Sequence, residues 1–311
     1  MGAHEGIRRL VTGIKHSAGF YDGKRIKKTK VNRFTRSKAG NVMWFTMLLV
    51  FGLFSILPLV YSVATSLKPL DELMIFPPRF LVQRPTIENY VALPTLLAKL
   101  RIPFSRYLFN SLFVSVVTTV LHVIVSAMAS FVLAKSDLKG RNIFFWMIQF
   151  ALLYNSYTLA VPQYLIFANL RMINTYWVYI LPYVPSTMGV FLMKQFMEKC
   201  IPDSLLEAAR IDGAGYFHTF CRIVMPMVKP AWLTLVLFAF RDMWAIQPQG
   251  TIFDEALKTL PYVMSQITSG GIARAGSAMA ATVILMIPPI IVYLISQSNV
   301  IETMSSAGIK E

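Results

Sequence analysis

The sequence predicts an all-α polytopic membrane protein with six transmembrane helices. Hydrophobic residues make up 55% of the 311-residue chain and charged residues only 14%, whereas soluble domains usually carry about 25% charged residues. The few charges are clustered, so long apolar stretches contain none, and a dense basic segment precedes the first stretch. These three observations indicate a chain whose helices are buried in lipid.

The charge-free stretches set the positions of the helices. Five gaps between successive charged residues are 22 to 29 residues long, and about 20 apolar residues cross a bilayer as a helix. A sixth segment, 230–249, is apolar except for Arg241 and Asp242. Backbone polar groups must be satisfied internally in lipid, so each segment is expected to be helical. The predicted spans lie near 42–63, 107–133, 143–168, 174–193, 230–249 and 276–298.

Residues 1–41 form a basic arm with eleven Lys and Arg residues and two acidic residues. An excess of Lys and Arg marks the cytoplasmic side of a membrane, and six crossings return residues 301–311 to that side. Because the net charge is +15, a nucleic-acid-binding arm is the alternative. Few aromatic residues interleave with the charges, and a span follows directly. We therefore interpret the arm as a topology determinant that lies on anionic lipid.

The loop at about 200–226 is predicted to be cytoplasmic and to begin with a short helix. Pro202-Asp203 is typical of a helix start, with Asp203 or Ser204 as the N-cap and Glu207 in the first turn. Gly213 is expected to end the helix in a left-handed conformation. The apolar face of this helix is expected to comprise Leu205, Leu206, Ala209 and Ile211.

A second helix in the same loop is expected to run to Val224 and to stop at Pro226. The loop would then be a helix–turn–helix knob between two spans. The small pair Ala208-Ala209 would allow a partner surface to approach closely. The alternative is that the knob packs only on its own helix bundle.

The loop residues resemble the EAA loop of ABC importer permeases. Glu207-Ala208-Ala209, Gly213, Ile223 and Pro226 stand at the family's spacing, and Met225 replaces the family's Leu. The resemblance covers about residues 40–311. Within the family, the chain resembles the MalG-like carbohydrate type. Further segments that carry it are Asn110-Ser111-Leu112, Lys139-Gly140-Arg141 and the tail Ser306-Ala307-Gly308-Ile309-Lys310.

The resemblance implies a type I ABC importer permease fold with a cytoplasmic coupling helix. It also implies a second homologous permease subunit, two ATPase subunits and an extracytoplasmic solute-binding protein. The chain itself is expected to be non-catalytic and to bind no cofactor, with ATP and Mg on the partner ATPase. The sequence contains no phosphate-binding Gly-x-x-x-x-Gly-Lys-Ser/Thr loop. The candidate ATPase-coupling residues are Glu207, Ala208, Ala209, Asp212, Gly213, Ile223 and Pro226.

A sugar pathway would need hydrogen-bonding and aromatic side chains within the spans. For the polar residues of the third span the alternative is helix–helix hydrogen bonding. Arg241 and Asp242 either neutralise each other or contact an acidic substrate or the binding protein. Trp244 resembles the tryptophan of a family Trp-Asn pair, but Ala245 replaces the Asn. The candidate pathway residues are Tyr154, Asn155, Tyr157, Gln163, Arg241 and Trp244.

The predicted function is therefore a permease subunit of an ATP-driven importer for a sugar or oligosaccharide. The alternative is a membrane scaffold or sensor that recruits a cytoplasmic partner without moving a solute. Acidic residues are nearly absent from the predicted spans, which argues against ion-coupled transport. The chain is divided into the arm 1–41, a six-helix permease domain 42–300 and the cytoplasmic tail 301–311. The expected location is the bacterial cytoplasmic membrane, with both termini inside.

Overall fold

A computed structural model describes residues 38–98, 102–153, 156–248, 250–269, 271 and 274–308. The basic arm predicted for residues 1–41 lies outside these ranges up to residue 37. Every regular element in the described ranges is helical. The α-helices are α1 Lys38–Ser66, α2 Leu70–Leu73, α3 Glu88–Ala98, α4 Phe104–Lys135, α5 Arg141–Ala151, α6 Ala160–Asn169, α7 Trp177–Ile180, α8 Thr187–Cys200, α9 Asp203–Ile211, α10 Tyr216–Thr219, α11 Met225–Met227, α12 Lys229–Trp244, α13 Leu260–Thr268 and α14 Ala275–Gly308.

Other helical turns connect these elements. Three are 3₁₀-helices, at Ser156–Leu159, Leu181–Tyr183 and Glu255–Leu257, and one is a π-helix at Phe220–Val224. The chain divides into two compact units, Met1–Ile56 and Leu57–Glu311. The described part of the first unit is the helical segment 38–56. All sites discussed below belong to the second unit.

Three helices in the described ranges are long and apolar enough to cross a membrane. They are Gly40–Ser66, Phe104–Lys135 and Ala275–Ser298, which match the first, second and last predicted spans. A bent pair, Tyr216–Met227 and Lys229–Trp244, makes an angle of 81° and provides up to one more span. The number of six spans stays a prediction.

The third predicted span, 143–168, is interrupted rather than continuous. Helix α5 ends at Ala151, and helix α6 begins at Ala160 after the 3₁₀-helix Ser156–Leu159. Pro162 supplies a physical reason, because proline in a helix interior removes a backbone hydrogen bond and clashes with the preceding turn. In α6 it lies in the first turn, where amide groups have no helical acceptor.

The fourth predicted span, 174–193, is likewise broken into α7, the 3₁₀-helix Leu181–Tyr183 and α8. Pro182 and Pro185 lie in the interruption, and neither can donate a backbone hydrogen bond. Helix α8 then restarts with Ser186 as its N-cap, whose hydroxyl accepts the amide of Gly189 at 2.8 Å.

Helix α4 packs against both α8 and α12. Its buried face is rich in small hydroxyl residues, which allow close approach between helices in a membrane. At one crossing a Cβ on Gly189 of α8 would lie 2.8 Å from the Ser126 hydroxyl. These buried hydroxyl residues of α4 are Ser111, Ser115, Thr118, Thr119, Ser126 and Ser130.

The loop 200–226 does not stand apart from the bundle. Leu206, Phe220 and Val224 from the loop are buried in one cluster with Ala134 of α4 and Met197 of α8. We call this cluster the loop-side core. Burying apolar side chains stabilises such contacts by about 25 cal/mol per Å², so the loop is anchored on the helices that flank it.

Candidate functional site

Helix α9 begins the candidate coupling loop, and its first residue differs in role from the prediction. Pro202, rather than Asp203 or Ser204, is the N-cap, and no side chain caps the helix. The Asp203 carboxylate instead accepts a hydrogen bond from the Lys135 Nζ at 2.7 Å. The Asp203 side chain therefore bonds to a lysine of another helix, whereas a capping side chain would bond to the first backbone amides of its own helix. Because the helix starts at Asp203, Glu207 lies in its second turn.

One face of α9 is buried and the opposite face is exposed. Leu206 and Ala209 are buried in the bundle, and they are three residues apart, as neighbours on one helix face are. Glu207, Ala208, Ile211 and Asp212 are exposed. Ile211, predicted to share the apolar face of Leu206 and Ala209, is 86% exposed and does not lie on the buried side of the helix. It lies one turn beyond Glu207 and shares that residue's face.

Gly213 ends α9 as the sequence predicts. Its φ is +81°, in the left-handed region, which residues with a Cβ rarely adopt. The Gly213 amide donates to the Arg210 carbonyl at 3.0 Å, and the Ala214 amide donates to the Ala209 carbonyl at 2.9 Å. These two bonds form a Schellman motif. The turn therefore depends on backbone conformation, since no atom would contact an added Cβ within 4 Å.

The second half of the loop is more distorted than predicted. Helix α10 passes into the π-helix Phe220–Val224 and then into α11, which contains Pro226. Pro226 therefore does not stop the helix; the sharp bend follows at Val228, before α12. The π-helix immediately precedes Pro226, and its hydrogen bonds join residues that are five apart instead of four. The proline, which has no amide to donate, therefore follows a turn whose hydrogen-bonding register is already shifted. Ile223 is half-buried and Pro226 is exposed.

The candidate pathway residues are not gathered at one place. Tyr154 and Asn155, as well as the side chain of Tyr157, lie outside the described residues. Arg241 is exposed, and it forms no ion pair with Asp242 or any other acid in the described ranges.

Gln163 lines a cavity of about 80 Å³. Its polar lining also includes Tyr164, Tyr179, Tyr183, Gln247 and Thr251. Amide and phenol groups thus converge from α6, from the segment around the 3₁₀-helix Leu181–Tyr183 and from the segment that follows α12.

Trp244 is buried, with 4% of its surface exposed. Its indole N–H donates to the Leu285 carbonyl of α14 at 2.8 Å. Pro289, four residues after Leu285, has no amide with which to make the usual helical bond to that carbonyl. The indole group therefore satisfies a backbone acceptor that a proline leaves free. This contact joins α12 to α14.

Three features of the site escape sequence reasoning. Ile211 is exposed beside Glu207, although its residue type suits a core. Lys135 lies 68 positions before its ion-pair partner Asp203, so no local pattern joins them. Gln247 reaches the Gln163 cavity from a different segment. The spacing of Glu207 and Ile211, four residues apart in a helix, is the one sequence signal from which their shared face could have been predicted.

Residues 123–305 match the family described as "Binding-protein-dependent transport system inner membrane component", which is more than half of the chain. The chain belongs to this family. It is a permease subunit of a binding-protein-dependent ABC importer, a membrane transport component rather than an enzyme, and the family places it in the cytoplasmic membrane.

Individual relatives extend over most of the chain. The sulfoquinovosyl glycerol transport system permease protein SmoH of Agrobacterium fabrum is 31% identical, covering 85% of this chain and 91% of that protein. The arabinooligosaccharides transport system permease protein AraQ of Bacillus subtilis is 28% identical, covering 89% and 98%.

A crystal structure of a bacterial ABC transporter involved in alginate import is similar in fold. One of its chains aligns with a TM-score of 0.71 at 21% sequence identity, covering 85% of this chain and 98% of that chain. This likeness supports the permease fold of the described residues.

Proposed function

We propose that this chain is one of two permease subunits in an importer whose partner ATPase docks on the exposed face of α9. The observation that carries the proposal is the two-sided character of this helix. Leu206 and Ala209 fix it to the bundle, while Glu207, Ala208 and Ile211 remain free. The exposed face thus offers a partner one apolar contact at Ile211 and one charged contact at Glu207.

The second permease subunit would be homologous but not identical. One chain offers half of a two-sided pathway, and the small Gln163 cavity supports this view. About 80 Å³ holds only a few water-sized groups, so partner residues would complete a solute site. Two ATPase subunits and an extracytoplasmic binding protein would complete the importer, with both termini of this chain in the cytoplasm.

The solute would be a carbohydrate. Two relatives are named for arabinooligosaccharides and sulfoquinovosyl glycerol. The Gln163 cavity presents amide, phenol and hydroxyl groups, which hydrogen-bond sugar hydroxyls and stack on sugar rings. Tyr154, Asn155, Tyr157 and Arg241 stay proposed pathway residues. Trp244 is better explained by its bond to α14.

The test is uptake by the complete complex reconstituted in vesicles with its binding protein, ATPase and a labelled oligosaccharide. Glu207→Ala should lower ATP-dependent uptake and weaken retention of the ATPase. The matched control is Glu88→Ala, which removes an exposed carboxylate from α3. Wild-type uptake by Glu207→Ala, with the ATPase still bound, would refute docking on this face. ATPase recruitment without any solute uptake by the unmutated complex would favour the scaffold alternative.

A further inference from the structure

An ion pair links the end of a candidate membrane span to the start of the candidate coupling helix. Lys135 is the last residue of α4, and Asp203 is the first residue of α9. The Lys135 Nζ and Asp203 Oδ1 are 2.7 Å apart, and their side chains are 7% and 78% exposed, respectively. The lysine is therefore held from inside the bundle and reaches outward to the loop.

The ion pair matters because its lysine side chain is buried. A buried ammonium group is costly unless a counter-charge accompanies it, and Asp203 is the acid within ion-pair distance among the described residues. Around the pair lies a cavity of about 350 Å³, whose other charged lining residues are Asp137, Arg141, Glu207 and Arg210. The Lys135 hydrogen bond and then its charge hold the pKa of Asp203 below its ordinary value. Asp203 is consequently ionised at neutral pH.

The pair also supplies a constraint that the apolar face of α9 lacks. Leu206 and Ala209 pack in the bundle, but apolar contacts are non-directional, so they constrain the orientation of the helix start less than a hydrogen bond does. A charged hydrogen bond at the first residue fixes the position of that end. At the other end, the Gly213 turn fixes the exit of the chain. The helix is thus held at its start, along one face and at its end.

We propose that Lys135 and Asp203 are positioning residues for transport, which transmit movement of the coupling helix to span α4. This inference rests on the proposed docking of the ATPase on α9 and adds the route by which docking reaches the membrane. If the partner moves α9, the ion pair moves the inner end of α4 with it. Without the pair, the non-directional apolar packing of Leu206 in one cluster with Ala134 would be left to link α9 to α4.

The experiment is a charge swap in the complete reconstituted complex, with the ratio of solute imported to ATP hydrolysed as the measurement. Lys135→Glu and Asp203→Lys should each lower this ratio by about tenfold, because each leaves two like charges side by side at the junction of α4 and α9. The ATPase should remain bound, because Glu207 and Ile211 are unchanged. The double variant restores opposite charges and should recover most of the ratio.

A matched control uses the ion pair Lys194–Glu198 within α8, whose lysine side chain is 10% exposed and whose atoms are 2.6 Å apart. Lys194→Glu places a second acidic side chain beside Glu198 inside the bundle, as Lys135→Glu does beside Asp203, but it does not involve α9. Lys194→Glu should lower the yield of folded complex and leave the ratio unchanged. Asp203→Asn, exposed and nearly isosteric, keeps the test decisive where Lys135→Glu prevents folding, and it should also lower the ratio.

Two results would overturn the inference. The first is a wild-type ratio in Asp203→Asn and Asp203→Lys while Glu207→Ala still impairs uptake; the proposed docking would then stand without this route. The second is a double variant no better than either single variant, which would show that the residues act separately. A wild-type result for Glu207→Ala as well would remove the proposed docking itself.

Discussion

Lys68 and Lys135 lie in two different regions of this molecule, and each region stabilises its buried lysine charge in a different way. In the segment after α1, Lys68 is 3% exposed and donates to the Arg79 carbonyl. Nearby Glu72, 4% exposed, accepts the backbone amides of Gln83 at 3.0 Å and Arg84 at 3.4 Å. Beside the 200–226 loop, Lys135 is stabilised by the side chain of Asp203, 68 positions away.

The difference teaches what each region can do. Bonds between side chains and the backbone of their own short segment make that segment a rigid unit. A bond between side chains of two distant elements ties together parts that can otherwise move independently. The first arrangement suits a fixed cap at the end of α1, and the second suits the coupling role proposed for α9.

The largest change in stability is expected where the segment after α1, which we call the rigid cap, contacts α14. A Cβ on Gly276 would overlap the side chain of Asn89, whose amide donates to the Ser66 carbonyl at 2.9 Å and the Lys68 carbonyl at 2.7 Å. Gly276→Val should destabilise the protein by about 1–3 kcal/mol or more through overpacking. The measurement is the midpoint of thermal unfolding in detergent.

Gly52 provides the control for that change, because no atom lies within 4 Å of a Cβ built there. Gly52→Ala should keep or raise the midpoint, since alanine favours helix. Equal midpoints for Gly276→Val and the unmutated protein would show that the cap is not rigid.

A smaller change in stability is expected at the turn that ends α9. Gly213→Val places a β-branched residue at positive φ, at a cost of about 1 kcal/mol or more. The chain should still insert, but uptake should fall because α9 no longer holds its orientation. Gly213→Asn is the control, since asparagine tolerates the left-handed region better. Uptake that is equal in both variants and in the unmutated complex would contradict the role of this turn.

Ile211→Ser should separate stability from partner binding. The residue is 86% exposed, so unfolding should change by less than about 0.5 kcal/mol. If the ATPase buries this side chain, its loss should raise the Kd for the ATPase about tenfold or more. Phe76→Ser is the control, because Phe76 is 92% exposed in the other region. Identical affinities for all three proteins would exclude Ile211 from the interface.

The pH dependence of coupling should be small above the acidic range. The pKa of Asp203 is lowered in the folded state, so its stabilising ion pair is complete above the ordinary aspartate pKa of about 3.9 and is lost as the pH falls through the lowered value. The ratio of import to ATP hydrolysis should therefore stay flat between about pH 6 and 8. A loss of coupling across this interval that Asp203→Asn abolishes would contradict the assignment.

The smallest effect is expected from removing residues 1–30. Arg33, Arg36 and Lys38 still precede the first span and should keep its start in the cytoplasm. Uptake should remain near that of the full chain, and accessibility of an N-terminal tag should report unchanged topology. Lost uptake with normal insertion would reveal a specific role for the arm.

Sequence alone determined the helical membrane class, three of the spans and the end of α9. Charge-free stretches exceed the bilayer thickness, and a glycine after an amphipathic turn favours a left-handed cap; both effects are local. Sequence was less informative for 143–168 and 174–193. Hydropathy measures the apolar content of a segment, and it is insensitive to Pro162, Pro182 and Pro185, which interrupt those helices.

Tertiary structure decided which groups meet across the chain. It exposed Ile211, gave the N–H of Trp244 to the Leu285 carbonyl, and turned Asp203 from a predicted N-cap into the partner of Lys135. In each case several partners were chemically acceptable from the sequence. Packing selected one of them, because a buried charge or a free backbone acceptor binds the complementary group that the fold brings within hydrogen-bond distance.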